Sequence, residues 1–124
     1  MTRDDIFEIA SFGSSSGMKI ALATCGSYIS ADTADRLKSA GVTALSFSID
    51  SAEPQKHDDF RGTKGAWQTV INAITFVKEA GLNFQINTTI TKDNYNDISK
   101  IARLAVEFGA NCFNPFVLVP MGRA

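Results

Sequence analysis

Val42-Thr43-Ala44-Leu45-Ser46-Phe47-Ser48-Ile49-Asp50 is the stretch that decides the fold. Successive side chains of a strand point to opposite sides. Leu45, Phe47 and Ile49 therefore share one face, and Ser46, Ser48 and Asp50 share the other. A strand covered by helices on both sides is apolar throughout. This one is apolar on one side and polar on the other. The stretch 82–90 repeats the pattern, with Phe84, Ile86 and Ile90 opposite Gln85, Asn87 and Thr89. Upstream, 18–24 sets Ile20 and Leu22 against the small Ala21 and Ala23. Downstream, 113–119 sets Asn114 opposite Val117 and Val119, with Phe116 and Leu118 interrupting the alternation.

Helical patterns separate these strands. The first runs from Asp4 to about Ser16, with Ile6, Phe7, Ile9 and Ala10 apolar. Ser30 reads as the N-cap of a helix over 31–40 that carries Ala34 and Leu37 on one face. Trp67, Val70, Ile71, Ile74 and Val77 recur at helical spacing within 64–80. Asp93 or Asn94 caps a helix to Phe108, with Ile98, Ile101, Ala105 and Phe108 in register. Gly17, Gly41, Gly81 and Gly109 each follow a helix, where a left-handed residue turns the chain into the next strand. Repeated helix–glycine–strand units imply parallel strands joined by right-handed crossovers. The expected fold is α/β: a segment of a partial (β/α) TIM-like barrel, about four parallel strands with helices on one face. Its polar face would line a wet cavity for a polar ligand. A closed barrel takes eight strands and about 250 residues, so 124 residues make part of a wall. The competing reading is an antiparallel or edge arrangement with one solvated face.

Composition limits the function. Twelve basic and thirteen acidic residues leave a formal charge of −1, which gives no electrostatic case for nucleic acid or an anionic membrane. No apolar run approaches the roughly 20 residues of a membrane helix. Met1-Thr2-Arg3-Asp4-Asp5 is too acidic to open a signal peptide. Cys25 and Cys112, the two cysteines, exclude a dense disulfide framework and cannot supply a four-ligand metal site alone. These features predict a soluble, reduced, cytoplasmic protein without nucleic-acid or membrane partners.

The ends of the strands hold the candidate site residues: Thr24-Cys25-Gly26, Ser48-Ile49-Asp50-Ser51, Thr89 to Asn94, and Pro120-Met121-Gly122-Arg123. Hydroxyls and an amide suit ribose, a carboxylate accepts from hydroxyls or an ammonium, and an arginine matches a carboxylate with paired donors. Asp50 and Ser51 alternatively cap a turn. The polar segment Glu53 to Gly62 reads as a long functional loop. Its His57, the one histidine, is either a general base or a solvated or locally bonded loop residue. Arg61 pairs with Asp50 or Asp58, or points at a ligand carboxylate. Cys25 and Cys112 read as ordinary strand residues. Gly13-Ser14-Ser15-Ser16-Gly17-Met18-Lys19 lacks the spacing and strand–loop–helix order of a phosphate loop and reads as a helix end.

Ser46-Phe47-Ser48-Ile49-Asp50, then His57-Asp58-Asp59-Phe60-Arg61-Gly62 and Gly65, resembles the middle of radical S-adenosylmethionine (radical SAM) enzymes. The closest flavour is the cofactor- and peptide-maturation branch: pyrroloquinoline quinone synthesis, haem-pathway and sulfatase-maturation types. Ile86-Asn87-Thr88-Thr89-Ile90-Thr91 with Asn94, and Leu118-Val119-Pro120-Met121-Gly122-Arg123, are similar to the next two strands of that pattern. The resemblance implies a partial (β/α)₆ barrel holding S-adenosylmethionine and a [4Fe–4S] cluster, with reductive cleavage yielding a 5′-deoxyadenosyl radical. By position it implies Ser48 at the ribose or methionine carboxylate, and Asp50 and Arg61 as ligand or loop-ordering groups. Asn87 and Thr89 would face the cavity, and 120–123 would border the adenine. Thr24 falls where the branch often has Thr-Asn-Gly, here with Cys25 in place of the asparagine. The cluster-binding CxxxCxxC and a Gly-Gly-Glu-Pro stretch are missing. The chain is therefore expected to be an internal fragment, a single unit over 1–124 spanning roughly strands three to six of the parent barrel. It would be inert alone and partnered by the rest of the parent enzyme, which acts on a small-molecule or peptide substrate. Self-association is one way to cover its polar face. Two other classes compete: a receiver-like signalling domain with Asp50 as phosphoacceptor, and a small nucleotide- or sugar-binding α/β domain.

Overall fold

A computed structural model describes residues 3–119. Their order is α1 (Ile6–Ser15), β1 (Ile20–Ala23), α2 (Ala31–Ser39), β2 (Val42–Ser48), α3 (Pro54–Arg61), α4 (Ala66–Glu79), β3 (Asn83–Ile90), a 3₁₀ turn (Tyr95–Asp97), α5 (Ile98–Phe108) and β4 (Cys112–Val117). All three strand pairings are parallel, and the order across the sheet is β1-β2-β3-β4. That order decides the architecture. Each strand lies beside its predecessor, so right-handed crossovers of one sense leave the helices on one face. A doubly wound sheet, including the receiver fold, reverses its strand order part-way and so acquires helices on both faces. The receiver reading fails on this topology. The antiparallel alternative fails on the strand directions.

The apolar face of the sheet carries the core. Leu45, Phe47 and Ile49 from the β2 region and Phe84 and Ile86 from β3 are buried. They form one cluster with Leu37 of α2, Val70, Ile74 and Val77 of α4, and Ile101 and Ala105 of α5. On the opposite face the groups are half-buried and bonded across strands. Gln85 Nε2 donates to Ser46 Oγ at 2.8 Å, and Asn114 Nδ2 donates to Asn87 Oδ1 at 3.1 Å. The register sets Ser46 beside Gln85, Ser48 beside Asn87, and Asn87 beside Asn114, so these groups form one continuous polar row. β1 and β4 each keep one unpaired edge among the described residues. Phe116 and Val117 of β4 are exposed. No described helix is long and apolar enough to cross a membrane.

Local signals behave as their chemistry requires. Gly17, Gly41, Gly81 and Gly109 all have positive φ, between 70° and 84°. At Gly81 and Gly109 the next residue closes a Schellman-type bond, Leu82 N to Val77 O at 3.0 Å and Ala110 N to Ala105 O at 2.9 Å. Ser30 caps α2 through Thr33 N, which donates to its Oγ at 3.2 Å. Ser30→Ala is expected to lower stability by about 1 kcal/mol in urea unfolding, and Ser30→Asp to restore it.

Two expectations are corrected. The segment 53–62 is not a loop: Pro54–Arg61 is a helix, with Pro54 in its first turn and Gly62 in the left-handed C-cap. A proline fits that first turn because its missing N–H has no helical partner to lose. The α5 cap is also different. Asn94 lies before the 3₁₀ turn, and its side chain is used elsewhere. Its Oδ1 accepts from Thr91 N at 2.8 Å, and its Nδ2 donates to Asp50 O and Thr89 O, both at 2.9 Å. Asn94 therefore ties the ends of β2 and β3 together.

Candidate functional site

A cavity of about 520 Å³ opens at the C-terminal ends of the strands and is lined from β1, β2 and β3 and the connections that follow β1 and β2. Ala23, Thr24 and Cys25 follow β1, Ser46 and Ser48 come from β2, and Asn87 from β3. His57 and Arg61 of α3 and Thr69 of α4 complete the wall. A volume of that size suits a cofactor-sized ligand. Four of the six candidate residues, Thr24, Ser48, Arg61 and Asn87, thus share one cavity.

The other two act behind it. Asp50 is fully buried just past the end of β2, where its Oδ1 accepts from Thr89 N at 2.8 Å. Its Oδ2 pairs with the Arg61 guanidinium, its one partner among the described residues. Arg61 is about one-third exposed (36%), so its outer nitrogens remain open to the cavity. Thr89 contributes its backbone N–H to this arrangement and is not part of the cavity wall. Of the two partners expected for Arg61, Asp50 is the one it takes. Asp58 instead accepts from Gly65 N at 2.5 Å and Trp67 N at 2.8 Å, which fixes the start of α4 and lowers its own pKa. The turn reading also holds in part, since Ser51 Oγ accepts from Glu53 N at 3.0 Å.

His57, read as a general base or as a solvated or locally bonded loop residue, is buried on α3 at 1% exposure and bonds the backbone of a residue seven positions earlier. Its Nδ1 accepts from the Asp50 backbone N–H at 3.2 Å, and its ring meets Trp67 edge-on at 5.7 Å. Burial is the main cause of its lowered pKa. Asp50 and Asp58 oppose that shift, and Arg61 adds to it. Folding therefore binds His57 in its neutral form. The stability this provides is complete above the unfolded value near 6.5 and is lost as pH falls through the lower folded value. The melting temperature is expected to drop between pH 7 and pH 5. His57→Asn should flatten that limb and leave the later fall from Asp58, which begins as pH drops through the ordinary carboxylate value and runs on to its lower folded one.

The Thr24-Cys25-Gly26 turn shapes the cavity mouth. Gly26 has φ +86°, and a Cβ there would lie 3.1 Å from the Ala73 side chain and 3.3 Å from Thr69 O, so glycine lets β1 end directly against α4. Cys25 is exposed in this turn, and the Ser27 hydroxyl beside its sulfur lowers its pKa. Cys112 opens β4 at the other end of the sheet. The stretch 120–123, expected at the adenine, lies outside the described residues.

A polar concave face at the strand ends, with one guanidinium and several hydroxyls, fits a ligand bearing a carboxylate and a ribose. The radical SAM superfamily profile matches residues 2–105. The chain belongs to the radical SAM superfamily. Among curated radical SAM relatives, it is 43% identical over 123 residues to the AdoMet-dependent heme synthase of Methanosarcina barkeri, covering 99% of this chain and 35% of that one. It is 37% identical over 124 residues to the AdoMet-dependent heme synthase of Nitratidesulfovibrio vulgaris, covering all of this chain and 34% of that one. The chain spans about a third of the length of these relatives. Streptococcus suis SuiB bound to S-adenosylmethionine superposes with a TM-score of 0.80 at 17% identity, over 97% of this chain and 28% of its own. That likeness bears on the fold and supports a partial β/α barrel.

The superfamily implies two groups. S-Adenosylmethionine suits the hydroxyl, amide and guanidinium lining of the cavity. A [4Fe–4S] cluster does not suit this chain. The sequence holds two cysteines, at opposite ends of the sheet, and no three His, Cys, Asp or Glu side chains among the described residues gather as metal ligands.

Proposed function

We propose that this chain forms the S-adenosylmethionine-holding wall of a radical SAM enzyme of cofactor or peptide maturation, with haem synthesis favoured by its 43% identity to an AdoMet-dependent heme synthase. The observation that carries this reading is the convergence of Thr24 after β1, Ser48 and Arg61 from β2 and the helix that follows it, and Asn87 of β3, on one cavity. When bound, S-adenosylmethionine supplies a sulfonium whose reductive cleavage yields the 5′-deoxyadenosyl radical. The residues of this chain bind and orient. Arg61 offers paired donors to the methionine carboxylate, with its charge half-compensated and its direction set by Asp50. Ser48 and Asn87 offer a hydroxyl and an amide to the same carboxylate or to ribose. Thr24 borders the mouth. Asp50 and Thr89 order the wall from behind.

The chain corresponds to roughly strands three to six of the parent barrel, as one unit over 1–124. Cluster ligands and substrate contacts belong to the rest of that protein, whose strands would pair with the open edges of β1 and β4. The isolated chain is expected to be catalytically inert. Calorimetric titration with S-adenosylmethionine is expected to give weak, measurable binding, and Ser48→Ala to reduce it about tenfold through one lost hydrogen bond. Binding indifferent to Ser48→Ala and Asn87→Ala would move the ligand elsewhere. Anaerobic reconstitution with iron and sulfide is expected to give no charge-transfer band, and a stoichiometric cluster spectrum would overturn the assigned division of labour.

A further inference from the structure

Arg61 has an unassigned neighbour on α3. His57 lies four residues earlier, on the same face of the helix, and its imidazole also forms part of the cavity wall. Its Nδ1 accepts the Asp50 backbone N–H, a group that can only donate. The ring proton of the neutral imidazole is therefore on Nε2. That Nε2–H has no oxygen or nitrogen acceptor among the described residues, and it is not a fully enclosed atom: Asp50 Oδ2 is the one buried side-chain polar atom left without a hydrogen bond there, so the Nε2 edge is the part of the ring that meets the cavity. A donor that meets a cavity is placed to meet a ligand acceptor. Trp67, packed edge-on, holds the ring in place, and Asp58 is committed to two backbone N–H groups at the start of α4. The depressed pKa keeps the ring neutral near pH 7.

We propose that His57 is a second ligand-reading residue of the cavity, its Nε2–H donating to the carboxylate oxygen of S-adenosylmethionine beside the one bound by Arg61. The proposal rests on the site reading above. It makes carboxylate recognition a joint property of a cation and a neutral donor one helical turn apart. Both are anchored on Asp50, Arg61 through its carboxylate and His57 through its backbone N–H.

The test uses the full chain. Nitrogen-15 NMR of labelled histidine at pH 7 should show the Nε2–H tautomer, and added S-adenosylmethionine should shift Nε2 more than Nδ1. In calorimetry, His57→Asn keeps an acceptor near the Nδ1 position but no donor near Nε2, and is expected to bind S-adenosylmethionine about tenfold more weakly. His57→Gln, whose amide reaches the Nε2 position, should bind within about threefold of the wild type. With decarboxylated S-adenosylmethionine the wild type and His57→Asn should bind alike. The Nδ1–H tautomer, unaltered binding by His57→Asn, equal losses in the Asn and Gln variants, or a tenfold gap that persists without the carboxylate would each overturn the role of His57 while leaving the cavity reading intact. A wild-type chain that does not bind S-adenosylmethionine would overturn both.

Discussion

Phe47→Ala is expected to remove about 3–5 kcal/mol of stability, whereas Ser48→Ala, one residue along the same strand, should remove less than about 1 kcal/mol. Phe47 has no exposed surface and meets Phe84 edge-on, with ring centroids 6.2 Å apart. Truncation there both loses apolar burial and leaves a cavity between β2, β3 and α4. Small domains are stable by only about 5–15 kcal/mol, so the loss is a large share of the total and should move the urea midpoint strongly downward. Ser48 projects to the polar side, is half-buried, and borders a cavity that already admits solvent. Urea unfolding of the two variants checks the contrast. Equal losses would mean that both faces of β2 are packed, which contradicts a one-sided sheet.

Arg61→Ala carries the second large effect, in two separable parts. Asp50 is left with a fully buried carboxylate oxygen and no countercharge. Breaking such a pair from one side is destabilising because a desolvated charge loses its partner. The open cavity admits water, so about 1–3 kcal/mol is expected in urea unfolding. The affinity for S-adenosylmethionine should fall further, by about thirtyfold or more, since a charge-assisted pair of donors is lost. Arg61→Lys should recover much of the stability and less of the binding, because an ammonium restores the charge without the planar fork. Full affinity in Arg61→Ala would remove this guanidinium from carboxylate recognition.

Some of this was legible along the chain. The period-two alternation in 42–50 and 82–90 marked which side faces helices and which faces a hollow. The four glycines marked where helices end. Ser48 was recognisable as a candidate from its hydroxyl at a strand end, Asn87 from the polar face of its strand, and Arg61 from the polar segment that follows the second strand. The buried setting of His57 and the strand-tying bonds of Asn94 were not. A polar run from Glu53 to Gly62 reads the same whether it is a loop or a short helix, because α3 has almost no apolar face of its own to leave a 3.6-residue pattern. Asn94 resembles a helix cap locally, and its bonds to the carbonyls of Asp50 and Thr89 span up to 44 residues.

The sequence by itself determined the alternation of helices and strands and the two unlike faces of the sheet, since these follow from side-chain periodicity and turn chemistry within a few residues. Only the tertiary structure decided that β1-β2-β3-β4 lie in chain order. It also decided that Asp50 is satisfied by Thr89 and Arg61, and that a buried neutral histidine stands beside that arginine. Those outcomes depend on which distant backbone groups come within hydrogen-bonding reach, a property of the packed chain that no local pattern encodes.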